Sequence, residues 1–348
     1  MPFLKNIAQL KAVFKPDLCS WILKRPCSDL SIVKTQLEVP TFCDIHVDLA
    51  CKVRIKPFNV HKYHNANAFL LQTDFKYDNS IDHYIDGNKV IVRSLGDLNP
   101  NTLCSIKAPV KANLHIKAKN DVSLGYFQGD KINVHTEGNV FVDRFQGDSL
   151  DVITTNGNII LNDHVHASNV SAVTTNGSIK TGKLQGLSVK LKVLKQGNLK
   201  VGASYGNESI FVVENGEMEL QNLHKNCKVF LMKGHLTLTG FDGQLSAIIN
   251  SGSADVYLSR ITASSDITLK DPQGILLLKT SEACRDSTMF KISARKLNNT
   301  LTAENGTVII KPDGDDNGEN VVLINCENDV RMETVSWQEM MELQLKNK

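Results

Sequence analysis

The sequence predicts an all-β fold, a parallel β-solenoid, and three observations carry that expectation. A short glycine-centred phrase recurs along the chain. Apolar and polar residues alternate after each copy. The step between copies is nearly constant. Thr154–Leu161 reads TTNGNIIL, and Thr174–Thr181 reads TTNGSIKT, twenty residues later. A fixed period of this size is the mark of a repeat architecture, in which each unit buries its apolar face only against its neighbours.

Anchored on glycine, the copies fall at Gly138, Gly157, Gly177, Gly197, Gly216, Gly234, Gly252, Gly274 and Gly306, with steps of 19, 20, 20, 19, 18, 18, 22 and 32. Two residues past each glycine stand Val140, Ile159, Ile179, Leu199, Met218, Leu236, Ala254, Leu276 and Val308, all apolar. Four past it stand Val142, Leu161, Thr181, Val201, Leu220, Leu238, Val256, Leu278 and Ile310, with one polar exception. Lys180, Lys200, Glu219 and Asp255 lie between the two columns. This alternation describes strands with one buried face. A further apolar column, four before each glycine, holds Val134, Ile153, Val173, Val193, Val212, Phe230 and Ile248 and predicts a second inward strand.

Asn156–Gly157, Asn176–Gly177, Asn215–Gly216 and Asn305–Gly306 are turn pairs that tolerate positive φ. Asn-Gly between strands also suits antiparallel hairpins, so a meander or barrel is the alternative. A hairpin array does not require equivalent residues every 18–22 positions, whereas a stack of coils does. About nine coils at ~4.8 Å each give a rod some 40 Å long. Thr136, Thr155 and Thr175 are expected to stack as a ladder along one corner.

Four segments follow. Residues 1–28 form a basic, amphipathic leader; 29–110 an N-terminal β region or atypical opening coils; 111–311 the repeats; 312–348 an acidic loop, a last strand and a C-terminal helix. In the leader, Phe3, Leu4, Ile7, Leu10 and Phe14 make one apolar helical face, with Lys5, Lys11, Lys15, Lys24 and Arg25 against the single acid Asp17. Basic, acid-poor amphipathic starts suit a mitochondrial transit peptide; the alternative is a surface helix of a cytoplasmic protein. At the far end Trp337, Met341 and Leu345 line one face of the expected capping helix. Open solenoid ends would pair with other chains, so caps are needed.

Composition excludes several function classes. A net charge of +2 gives no general attraction to nucleic acid, and no apolar run is long enough to span a membrane. Eight cysteines (19, 27, 43, 51, 104, 227, 284 and 326) contain no CxxC pair, which argues against a finger-type metal site. The sequons at Asn169, Asn176, Asn207, Asn298 and Asn305 read as turn and strand composition.

Candidate chemistry is sparse. Asp130, Asp148, Asp163, Asp242 and Asp255 do not share one column, and Asp315 and Asp316 lie in a solvated acidic loop. His164 and His166 share one face of a strand, and His61 and His64 sit one helical turn apart, with no evident third metal ligand for either pair. Lys180, Lys183, Lys190, Lys192, Lys195 and Lys200 make a locally basic stretch without aromatics for base stacking, so nucleic acid is not the expected partner. The glycine turns match neither a phosphate-binding loop nor a calcium-binding nonapeptide. No catalytic residue, cofactor or metal ligand is assigned.

The repeated T-x-G-x-I-x-L phrase, over roughly residues 105–311, resembles the bacterial adhesin-type β-solenoid domain of unassigned function. Among eukaryotic groups, the chain is similar to the family with sequence similarity 185. The resemblance implies the same solenoid, a location at least partly mitochondrial, and no catalytic residues to carry over. The resulting expectation is a non-enzymatic binding or scaffold protein whose partner is a macromolecule, a protein. A β-helix enzyme acting on a glycan or other polymer is the competing class.

Overall fold

Alternation of inward apolar and outward polar side chains drives each segment of this chain into extended backbone, and the backbone groups find partners in the coils above and below. The computed structural model describes residues 33–59, 67–73, 80–96, 98–301, 306–312, 320–336 and 339. The leader 1–28, His61 and His64, the acidic loop with Asp315 and Asp316, and the helix bearing Trp337, Met341 and Leu345 lie outside the described residues.

In the middle of the chain each coil has three sides. Residues 140–142, 145–147 and 149–154 lie in parallel register on 159–161, 165–167 and 169–174 of the next coil. The register continues to 179–193 and then to 199–213. We call these sides the first, second and third faces. The columns two and four past each glycine point inward on the first face, where Val140, Ile159, Ile179, Leu199, Met218 and Leu236 are all at most 1% exposed. Phe127, Phe145, Phe211, Phe241 and Phe290 are fully buried in the core. A parallel solenoid is thus what the sequence builds, and from residue 113 to residue 281 neighbouring coils pair parallel, not as hairpins.

Two ladders stitch the glycine corner. Inside, Thr154 Oγ1 donates to the carbonyl of Gly138 (2.6 Å) and Thr174 Oγ1 to that of Gly157 (2.9 Å). Outside, the backbone N–H of Asn158 donates to Asn139 Oδ1 (2.9 Å), that of Ser178 to Asn158 Oδ1 (2.7 Å) and that of Asn198 to Ser178 Oγ (3.0 Å). Between the ladders the glycines stack closely. A Cβ on Gly216, where φ is +147°, would lie 2.0 Å from the Gly197 carbonyl oxygen.

Three expectations are corrected. The buried threonine ladder is Thr136, Thr154 and Thr174 rather than Thr136, Thr155 and Thr175; Thr155 is exposed. The column four before each glycine is not one inward row: Val134 and Val193 are buried, whereas Ile153, Val173, Val212, Phe230 and Ile248 face outward. The turn preceding the glycine varies in length, with a register shift between Val193 and Gln196, so counting back from glycine switches faces. Finally, Thr307–Ile310 is no coil. It pairs antiparallel with Thr288–Leu297, and the places above Leu276 and Leu278 belong to Val330 and Met332.

At both ends the coils stack out of chain order. Asp44–Leu49 lies between Lys89–Ser94 and Asn113–Ala118, and Lys52–Pro57 lies between Leu103–Ala108 and Val122–Phe127. At the other end Asn320–Val335 is inserted between the coil of Ser265–Leu269 and Ile275–Ser281 and the strand Thr288–Leu297. The stack is about twelve layers deep, on the order of 55 Å. Antiparallel strands then cover it: Ile81–Asp86 on Lys89–Ser94, Ala68–Thr73 on Leu103–Ala108, and Val33–Glu38 on Ala68–Thr73. Capping by antiparallel strands removes the parallel edges on which another solenoid could grow.

Candidate functional site

A strand buried on one side shows the other side to solvent, so the outward columns of the three faces hold whatever function the rod has. On the third face the outward residues of the middle coils are apolar to an unusual degree. Ile153 stacks on Val173, and beyond Lys192 comes Val212; Phe230 and Ile248 follow on the next coils, where the Asn250 amide on Met232 Sδ (2.9 Å) marks the register. Ile210 flanks this column, and Leu194 (42% exposed) and Met232 (50% exposed) lie along its edge. Each of these apolar column residues is half-buried. Lys190 pairs in register with Ile210, and Lys192 with Val212, so two ammonium groups separate the apolar run Val212, Phe230 and Ile248 from Val173 and Ile153.

The six lysines that are close in sequence are spread around the rod. Lys180 and Lys200 stack on the first face, Lys183 is on the second, Lys190 and Lys192 are on the third, and Lys195 lies in the turn. Lys200 is also paired with Glu219 at 2.7 Å. A basic run that wraps one coil gives no single track for a phosphate backbone.

The second face is polar, and its charges are matched to each other. Arg144 pairs with Asp163 and covers the Tyr126 ring; Arg260 donates through two nitrogens to the two carboxylate oxygens of Asp242, both at 2.9 Å. Tyr205 is stacked on His224 (4.6 Å between centroids) with Lys183 over the ring. These contacts raise the Arg144 and Arg260 pKa values, first through the hydrogen bonds to Asp163 and Asp242. His164 and His166 do stand on one face with rings 6.0 Å apart and nearly parallel, and among the described residues no third metal-ligating side chain joins them.

A cleft of about 530 Å³ opens on the first face near the C-terminal end, lined by Ser253, Asp255, Asp271, Gln273, Ile275, Leu277 and Arg331. The turn before Gly274 is longer than its counterparts, and this raises the wall. Asp271 accepts from the backbone N–H of Gln273 (2.8 Å) and Gly252 (2.7 Å) and from Ser251 Oγ (3.0 Å). Those bonds, the one from Gln273 first, hold its carboxyl below the usual range. His235 Nδ1 lies 2.7 Å from Ser253 Oγ, and its Nε2 is 3.8 Å from Asp255. Arg331 Nε donates to Asp329 (3.0 Å), a carboxylate only 4% exposed.

Of the five aspartates singled out in the sequence, Asp163 and Asp242 are held by arginines, Asp255 borders the cleft, and Asp130 and Asp148 sit at a corner. The structure does not bring the five together. Burial pushes the thiols of Cys43, Cys51 and Cys284 up to about 11 and that of Cys227 to about 12, so these are unreactive core residues. Among the described residues no group of three or more His, Cys, Asp or Glu could hold a metal ion. No described helix is long and apolar enough to cross a membrane. Sequence reasoning missed Arg331 with Asp329, because their strand reaches the cleft out of chain order. It also placed Val212, Phe230 and Ile248 inside, although their apolar signal was legible.

No family profile and no curated protein matches the sequence. Among solved structures, a candidate adhesin from Parabacteroides merdae aligns over 87% of this chain and 96% of its own, at 11% identity and a TM-score of 0.36. A candidate lipid-binding protein from Parabacteroides distasonis gives the same coverage and identity and a TM-score of 0.36. A candidate cell adhesion protein from Clostridium sporogenes covers 87% of this chain and 100% of its own, at 10% identity and a TM-score of 0.16. Likeness at that level says nothing of what this chain binds.

Proposed function

We propose that the protein is a non-enzymatic, adhesin-like β-solenoid that binds or scaffolds another protein through its third face. The observation that carries this reading is the outward row Ile153, Val173, Lys192, Val212, Phe230 and Ile248, apolar but for its one lysine, with Met232 and Leu194 beside it. Apolar side chains on the solvent side of a rigid sheet cost solubility unless a partner covers them, and contiguous apolar areas mark interaction surfaces.

The cleft supports binding over catalysis. A general acid must hold a proton near neutral pH, yet the donors around Asp271 favour its ionised form. Ser253 is bonded to Nδ1 of His235, whose other nitrogen is beyond hydrogen-bond reach of Asp255, unlike a nucleophile and base oriented by an acid.

The basic leader supports a mitochondrial address. Tagged full-length chain and a form lacking residues 1–27 should part company in cells, with only the first entering mitochondria and being cut near Ser28. Uncut, cytosolic behaviour of both would make the protein a cytoplasmic scaffold. Proximity labelling then tests the binding reading: a Phe230→Asp variant with an unchanged melting curve should lose its labelled protein neighbours. An identical labelling pattern in the variant would remove the third face from the function.

A further inference from the structure

We infer that the third face takes an amphipathic α-helix lying along the rod axis, with its carboxylates over Lys190 and Lys192. This rests on the protein-binding reading above and specifies the partner's chemistry.

The spacing selects a helix. Val212, Phe230 and Ile248 belong to successive coils, so their side chains repeat at ~4.8 Å along the rod and span ~9.6 Å over two steps. A helix presents one side chain per turn of ~5.4 Å on a given face, or ~10.8 Å over two turns, a mismatch of roughly 1 Å. A strand laid the same way presents one every ~6.8 Å, and misses by about 4 Å over two steps. Strand pairing is also closed to a partner here, since 188–193 and 208–213 already lie in parallel register with each other, and 188–193 with 169–174 on its other side. Recognition on this face must therefore be by side chains, and a helix at i, i+4 and i+7 supplies them at the matching interval.

The charge selects an acidic helix. Lys190 and Lys192 stand on the coil next to Ile210 and Val212, and no ion pair holds either ammonium group among the described residues. Glu208 is engaged by Lys228 at 3.3 Å and Asp266 by Ser246 Oγ at 3.1 Å, and Asp151 stands two coils before Lys190 in the same outward row. Glu214 lies out in the glycine turn. Lys192 thus stands inside the outward row, between Val173 and Val212, and with Lys190 it puts positive charge at the near end of the apolar run Val212, Phe230 and Ile248. A partner with Asp or Glu at the end of its apolar stripe gains attraction there, and a basic one is repelled. The same features could attract an anionic membrane, but half-buried side chains on a flat sheet reach only shallowly into lipid, which favours the helix.

The test is a displayed library of helical peptides with fixed apolar residues at i, i+4 and i+7 and randomised flanks, panned on the full chain. Asp and Glu should be enriched at one end of the stripe. Affinity of the selected peptides should fall about tenfold or more in Phe230→Asp. In the double variant Lys190→Glu/Lys192→Glu the preference should reverse, toward Lys- and Arg-flanked peptides. Circular-dichroism melts of both variants should match the wild type, since all three positions face solvent. Peptides selected without charge bias, and indifferent to the double variant, would overturn the acidic-helix inference while leaving protein binding intact. If no peptide is enriched, and phosphatidylserine-containing vesicles bind the wild type but not Phe230→Asp, both the inference and the protein-binding reading fail in favour of a membrane.

Discussion

The middle of the rod and its two ends use the same strands, turns and ladders, yet they differ in what lies next to what. From residue 131 to residue 258 each coil rests on the one that follows it in the chain, about 20 residues away. At the ends the stacking partner is far off in sequence: Asp44 pairs with Asn113, and Ser265 pairs with Val322. Neighbour-on-neighbour coils can zip up locally, with little loop entropy to overcome at each step. A coil inserted between two others must close a longer loop and depends on the layers on both sides. The ends are therefore the late-forming, separately breakable parts of the molecule, and the middle is the frame.

Removing one inserted coil probes this difference most severely. A chain ending at residue 312 lacks Asn320–Val335, the layer on which Thr288–Leu297 rests. Amide protection in 288–297 should vanish while that in 140–250 persists, because in a quasi-one-dimensional array each layer answers only to its neighbours. Hydrogen exchange read by mass spectrometry checks it. Loss of protection throughout would show the ends to be integral to the frame.

Within the frame, the closest approach is at the glycine corner. Gly216→Ala would drive a methyl group onto the Gly197 carbonyl and impose a side chain at φ of +147°. We expect a loss of about 3 kcal/mol or more in urea unfolding. Gly96, near the N-terminal end, has no atom within 4 Å of a built Cβ, and Gly96→Ala should stay within about 0.5 kcal/mol. Equal costs at both positions would undo the contrast.

The inner ladder comes next in size. Thr154→Val and Thr174→Val leave the Gly138 and Gly157 carbonyls without their hydroxyl donors in a dry corner. Each should cost about 1–3 kcal/mol. Thr155→Val, at the exposed neighbour, should cost well under 1 kcal/mol. Reversal of that order would restore the ladder first read from the sequence.

How much of this was legible follows from the same contrast. The repeat can be seen wherever stacking neighbours are sequence neighbours, since a position such as Val140, Ile159, Ile179 and Leu199 must then recur at the coil length. Where a coil is inserted from afar, the requirement is between Val330 and Leu276, and no local period records it. That is why the opening strands showed no visible period, why Thr307–Ile310 was mistaken for the last coil, and why Arg331 was not placed at the cleft. The outward stripe was missed for a different reason. Val212 and Phe230 look like core residues by type, and only the register, fixed by turns of unequal length, decides which way they point.

The smallest expected effect is a pH dependence that should appear at one end and not in the middle. His46, on the inserted coil, stacks on His115 with ring centroids 4.6 Å apart and an interplanar angle of 14°. Burial, then the nearby His46, lowers the His115 pKa from its ordinary 6.5, with Lys131 and Lys89 adding to the depression and Asp44 opposing it. Asp44 is itself engaged by the Asn113 amide at 2.9 Å. A base with a depressed folded pKa takes up its proton more readily in the unfolded chain. Stability is therefore greatest above 6.5 and falls as the pH drops below that value, levelling off once the folded form also protonates. Exchange rates in 44–57 and 113–118 should rise between neutral pH and the acid side of 6.5, after correction for intrinsic rates, while those in 159–213 stay level. His115→Asn should flatten the local response. A uniform rise along the rod, or an unchanged slope in the variant, would mean that the inserted coil is held no differently from the coils of the frame.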